Sequence, residues 1–310
     1  MTAIYKSESG RQAIEAFYRK ALARWPMPNQ QQTLATRHGD TFVVACGPAS
    51  APPVVLLHGS GSNSAVWMRD VVEWGKANRV YAVDIIGEPG LSAPSRPPLH
   101  SDAYAQWLDD VLERLRLPSA SVVGVSLGGW IALDYAVRRP ARVASLSLLS
   151  PAGIGARRRL FMLKAMVMLA FGKIGVRKAL PSALGTESIP APIKQYLTLI
   201  FENFRPRREA PPLRTDRELR ALSMPVQVIL GANDAMLKSA ETRERLRRLV
   251  SQAEITWLPD AGHMLPPQTA RVADFLNTAP RARAASSSAG TGAVSSTAAF
   301  QLASQSDVQV

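Results

Sequence analysis

The chain has 310 residues, is 46% apolar and carries a formal net charge of +13, enough for one large buried core or one domain carrying an insertion. A single cysteine, Cys46, excludes an intramolecular disulfide and any cysteine-based metal cluster. The start, MTAIYKSESG, lacks the basic-then-apolar layout of a secretory signal, and the longest apolar patch, 160–171, is broken by Lys164 and too short for a bilayer. The sequence therefore predicts a soluble cytoplasmic protein without stable membrane insertion.

In chain order, residues 1–28 read as an N-terminal helical extension, with an amphipathic helix over about 11–25 that ends at Pro26 and Pro28. Strand-like runs follow at 41–47, 53–59, 79–86, 120–126, 142–150, 225–234 and 253–260, several continuously apolar, as strands buried on both faces should be. Cys46 lies in the first of these runs and reads as a small buried hydrophobe. Helices are predicted between the runs at 65–77, 101–117, 127–139, 239–250 and 267–278, with Ser101 as the N-cap of the second. This alternation predicts an α/β fold: a mostly parallel, twisted sheet with helices on both faces.

Residues 153–215 interrupt the alternation. The segment is too long for a crossover and too hydrophobic for disorder, and it reads as a helical lid over the carboxyl edge of the sheet, dividing a core of residues 29–152 and 216–278. It holds twelve Lys/Arg against three Asp/Glu. No nucleic-acid-binding motif accompanies this charge, so it reads as solvated arginine-rich surface, with steering of anionic substrates or loose contact with a surface as the alternatives. The tail, 279–310, is rich in Ala, Ser, Gly and Thr and is expected to be disordered.

The chemistry centres on Gly124-Val125-Ser126-Leu127-Gly128, a G-x-S-x-G match placed between a predicted strand and a predicted helix. Such a turn exposes the Ser126 hydroxyl at the end of the sheet and sets the Leu127 N–H, at a helix N-terminus, toward a developing oxyanion. A serine needs a base to act as a nucleophile at neutral pH, and four histidines are available. His263 follows the last strand and lies on a loop at the same edge, whereas His38 and His100 read as surface residues. Imidazole in turn needs an acid partner. Asp234, directly after the preceding strand run, is the candidate; Asp260, three residues from His263, competes and suits a loop-shaping role.

The order Ser126, Asp234, His263 resembles that of the α/β-hydrolase superfamily, a likeness covering about residues 30–278. In that likeness, His58-Gly59-Ser60-Gly61 is similar to the family's His-Gly oxyanion loop, which implies a second donor, the Ser60 N–H. The run from Asp84 to Ser92 is similar to the family's D-x-x-G-x-G-x-S loop but one residue longer, so Ser92 is assigned no role. GPASAPPVVLLHGS, YAVDIIGEPGLS, VVGVSLGGW, LLSPAG and DAGHML further resemble bacterial carboxylesterases of the naproxen-esterase type, in which the acid position is glutamate rather than Asp234.

The resemblance implies a serine carboxylesterase hydrolysing small or aryl esters through an acyl-enzyme, with a small-molecule ester as partner and no nucleic acid. No metal, nucleotide or flavin is required, and a homo-oligomer is left open. The alternatives are a C–C bond hydrolase or another lidded hydrolase of this fold, or a ligand-binding protein that retains the three side chains. Dehalogenases and epoxide hydrolases place an aspartate where this chain has Ser126.

Overall fold

The computed structural model describes residues 4–158 and 191–290. Helix α1 (Glu8–Leu22) is followed by strands β1 (Asn29–Leu34), β2 (Thr41–Cys46) and β3 (Pro53–Leu57), helix α2 (Val71–Ala77), β4 (Arg79–Val83), α3 (Ala103–Arg114), β5 (Ala120–Val125), α4 (Leu127–Arg138) and β6 (Val143–Leu149). After the undescribed residues come α5 (Ala191–Asn203), α6 (Asp216–Arg220), β7 (Val226–Gly231), α7 (Ser239–Leu249), β8 (Ala253–Leu258) and α8 (Thr269–Gly290).

The eight strands form one sheet in the order β1-β2-β4-β3-β5-β6-β7-β8. β1 with β2 and β2 with β4 are antiparallel, and every other neighbouring pair is parallel. Side chains alternate between two hydrophobic layers because successive strand residues point to opposite faces. Val55 and Leu57 of β3 join Trp107 and Trp130 in one layer; Val54 and Leu56 join Trp67, Trp74 and Leu276 in the other. The chain runs from β3 to β4 on one side and then crosses to β5 on the other. The carboxyl ends of β3 and β5 therefore flank a crevice of the kind where open α/β sheets bind ligands.

Each predicted run from 41–47 onward forms a strand. β1 was not predicted: NQQQTL offers no apolar alternation, and only Leu34 is buried. It forms because the backbone of β2 offers an edge, from Asn29 opposite Cys46 to Leu34 opposite Thr41. The expected helix 65–77 is split. Asn63 accepts a bond from the Ala65 N–H and starts a short 3-10 turn, Ser64–Trp67, before α2 begins at Val71. α3 begins at Ala103 with Asp102 in the cap position, and Ser101 Oγ accepts from the Ala103 N–H at 3.3 Å. α8 runs on to Gly290, past the expected end at 278; residues 291–310 of the expected tail lie outside the described residues.

Of the segment expected as a lid, 159–190 likewise lie outside the described residues. Of its described arginines, Arg158, Arg205 and Arg208 are exposed, as the reading of the charge as solvated surface expects, but Arg207 and Arg214 are not. The Arg214 side chain is only 5% exposed; it pairs with Asp134 of α4 at 2.8 Å and lies over the Trp130 ring. Arg207, 8% exposed, pairs with Glu209 and donates to Tyr104 Oη. These guanidiniums tie the segment after α5 to α3 and α4, and their buried charge is matched by carboxylates rather than by water.

The N-terminal segment clasps α5. The Lys6 N–H donates to Asn203 O and the Arg205 N–H to Ile4 O, both at 2.8 Å, while Phe17 stacks on Tyr196 with ring centroids 4.6 Å apart. Gly10 permits this approach, because a Cβ there would lie 2.6 Å from Asn203 Oδ1 and 2.8 Å from its Cβ. Gly10→Val is therefore expected to lower stability by about 1–3 kcal/mol, the usual cost of overpacking. A thermal melt checks this, and an unchanged melting temperature would count against the clasp.

Candidate active site

Ser126 sits between β5 and α4 with φ 52° and ψ −108°, a conformation costing about 1–3 kcal/mol for a non-glycine residue. The flanking glycines make it attainable. A Cβ on Gly128 would lie 2.1 Å from Leu57 O, and one on Gly124 would lie 2.5 Å from Gly128 O. The elbow is held by Ser126 N–H donating to Leu149 O and by Trp130 N–H and Ala152 N–H donating to Ser126 O. Leu127 is the first residue of α4, so its N–H lacks a partner inside the helix.

Two further loops converge on the hydroxyl. His263, 8% exposed, places Nε2 3.0 Å from Ser126 Oγ and Nδ1 2.7 Å from Asp234 Oδ2. Asp234 is buried just beyond β7, and its Oδ1 accepts the N–H groups of Met236 at 2.7 Å and Leu237 at 2.9 Å. With Oδ1 so engaged, Oδ2 is left to accept from Nδ1–H, which leaves the Nε2 lone pair facing the serine. Asp260 is exposed, and its loop is shaped instead by Asn233, whose side chain donates to Pro259 O. His100 is exposed beside Glu209, and His38 is half-buried beside Gln106.

The turn after β3 passes beside Ser126: a Cβ on Gly59, the residue before Ser60, would lie 3.6 Å from Ser126 Cβ. His58 is buried, and its Nε2 accepts the Ile85 N–H at 2.9 Å, so Nδ1 is the protonated nitrogen and donates to Gly59 O at 2.8 Å. Burial lowers its pKa, which keeps this neutral tautomer. In a trans peptide C=O and N–H point in opposite directions, so a bond that fixes Gly59 O also aims the Ser60 N–H. Asp84, at the end of β4, accepts from Tyr18 Oη, Ser64 N–H, Ser64 Oγ and Leu91 N–H, tying α1 and the following loop to this turn. Ser92, to which no role was assigned, closes that loop by donating to Asp84 O and accepting the Phe42 N–H.

Sequence reasoning missed Glu88. It is 2% exposed, and its Oε2 accepts the Gly61 N–H at 2.6 Å and lies 3.3 Å from Ser60 Oγ. The available signal was the extra residue in the loop from Asp84 to Ser92. Burial raises its pKa from 4.5 to about 7, against the opposing pull of the Gly61 N–H, Arg96, Arg207 and Ser60. Because the folded value lies above the unfolded one, its stabilising contribution is complete below about pH 4.5 and is lost as pH rises through about 7. The melting temperature of Glu88→Gln minus that of the parent is thus expected to become more positive between pH 4.5 and 7. Scanning fluorimetry across that window checks it; a difference that falls with pH would contradict the assignment.

A strained serine elbow at the carboxyl edge of a parallel sheet, reached by a histidine from beyond the last strand, defines a class of protein, and comparison with known sequences agrees. The chain belongs to the alpha/beta hydrolase family, which it matches over residues 54–275. Within that family it resembles bacterial carboxylesterases of the naproxen-esterase type. It is 32% identical to a Bacillus subtilis protein described as the uncharacterized carboxylesterase nap, over 80% of this chain and 85% of the relative. It is 30% identical to the carboxylesterase YbfK of the same organism, over 83% and 89% of the two chains. The crystal structure of naproxen esterase from Bacillus subtilis superposes with a TM-score of 0.77 at 28% identity, covering 90% of this chain and 99% of the other. Among the described residues no helix is long and apolar enough to cross a membrane.

Proposed function

We propose that the chain is a serine carboxylesterase that hydrolyses small or aryl carboxylic esters through an acyl-enzyme on Ser126. Ester hydrolysis is supported by the carboxylesterase relatives; the mechanism is carried by the hydrogen-bonded line from Ser126 Oγ through His263 to Asp234. His263 Nε2 takes the hydroxyl proton as Oγ attacks the ester carbonyl, and Asp234 holds the ring and stabilises the imidazolium. The N–H groups of Leu127 and Ser60 receive the oxyanion, each such donor lowering the barrier by about 3 kcal/mol. His263 returns the proton to the leaving alcohol and then activates the water that releases the acid. A lid role for residues 153–215 is supported by α5, which lies beside the turn after β3: the Phe201 ring is 3.6 Å from a Cβ built on Gly61.

The test is turnover of a graded panel of aryl and alkyl esters, with mass spectrometry of a quenched reaction. An acyl adduct on Ser126 that forms and decays within the turnover time is the expected result. Stoichiometric labelling of Ser126 by a fluorophosphonate without turnover of any ester would favour a ligand-binding protein, and preferential cleavage of a vinylogous diketone would favour a C–C bond hydrolase.

A further inference from the structure

We propose that Glu88 is a positioning residue that holds the Ser60 peptide in register with Ser126, so that the turn after β3 presents a preformed donor to the oxyanion. The inference rests on the esterase reading and deepens it. Two adjacent peptide groups matter. The group joining Gly59 to Ser60 is held by its carbonyl, which accepts from His58. The next, joining Ser60 to Gly61, is held by its N–H, which donates to Glu88. With both planes pinned, the two backbone torsions of Ser60 lying between them have little freedom left, and the Ser60 N–H cannot swing away from the serine. Without Glu88 only one plane is held, at a turn whose next residue, Gly61, has φ +69° and no side chain to resist rotation.

The loop that carries Glu88 is built to turn it inward. It has one residue more than D-x-x-G-x-G-x-S allows, and Gly87, with φ +76°, bends the chain where any Cβ would strike Arg96 and Ser95. Gly90 passes so close to Asp84 that a Cβ would lie 2.4 Å from Oδ2, and Pro89 O is fixed by Asn63 Nδ2 at 2.8 Å. The carboxyl group is thus delivered by a rigid segment. Around it lie Ser60 and Gly61 of the turn, Arg96 of the loop beyond Ser92, Arg207 after α5, Tyr104 of α3 and Tyr5 of the N-terminal segment. No other side chain accepts the Gly61 N–H among the described residues.

The experiment compares Glu88→Ala and Glu88→Gln in the full chain by ester kinetics and by the rate at which a fluorophosphonate labels Ser126, since phosphonylation also builds negative charge on an oxygen held by the same donors. Glu88→Ala is expected to lower kcat and the labelling rate by roughly 10- to 100-fold while KM moves by less than about threefold. Glu88→Gln keeps an oxygen acceptor for the Gly61 N–H and is expected to restore both to within about threefold of the parent. Parental labelling by Glu88→Ala, a loss confined to KM, or a Glu88→Gln variant as impaired as Glu88→Ala would each overturn the proposal. If Glu88→Ala does not fold, Glu88→Asp, which withdraws the acceptor by one methylene, replaces it, and a parental labelling rate there overturns the proposal. If the parent labels but turns over no ester, the esterase reading fails while the labelling rates still decide the role of Glu88.

Discussion

Replacing Ser126 by alanine is expected to lower the turnover of an aryl ester by about four to six orders of magnitude, with fluorophosphonate labelling lost altogether. His263→Ala should do nearly as much, and the double variant little more, because the two act as one unit in a single proton transfer. The loss would not come from unfolding. Among the described residues the Ser126 hydroxyl hydrogen-bonds only His263, and alanine keeps the same Cβ, so the backbone bonds of Ser126 N–H to Leu149 O and of Trp130 N–H to Ser126 O survive. Melting temperatures equal to or slightly above that of the parent are expected, since removing a polar group held for chemistry commonly relieves strain at an active site. Ester hydrolysis at the parental rate by either variant would exclude the serine mechanism.

Asp234→Asn is expected to reduce kcat by roughly four orders of magnitude with the fold preserved. The size follows from hydrogen-bond direction. Oδ1 must go on accepting the Met236 and Leu237 N–H groups, so the new amide cannot turn over, and its NH2 is forced to face His263 Nδ1. The ring must then carry its proton on Nε2, where it points at Ser126 and cannot receive the hydroxyl proton. Asp260→Asn removes an exposed carboxylate and should leave kcat within about twofold, because exposed surface substitutions rarely matter. Equal losses in the two variants would mean that the histidine takes its acid from elsewhere.

Much of this was legible from pattern. The continuously apolar runs mark strands covered on both faces, and each such run from 41–47 onward is a strand. Ser126 between two glycines announced an elbow whose atomic reason is the contact of Gly128 with Leu57 O. Other features were not legible. β1 is a polar segment whose pairing depends on the edge that β2 presents, so no local signal marks it. Arg207 and Arg214 look like solvent-facing charge until their partners Glu209 and Asp134 are placed in space. The split of the expected 65–77 helix follows from Asn63 capping a turn, a competition between side chain and backbone that periodicity does not register.

The amino-acid sequence by itself marked seven of the eight strands, from 41–47 onward, and singled out Ser126 and His263 as candidates for one edge of the sheet, because hydrophobic period and turn chemistry are local properties of the chain. Only the tertiary structure decided which aspartate hydrogen-bonds His263 and which carboxylate accepts from the turn beside Ser126. Asp234 and Asp260 differ in burial and direction rather than in residue type. Glu88 meets Gly61 across a separation of 27 positions, a meeting set by where β3 and β4 end in space.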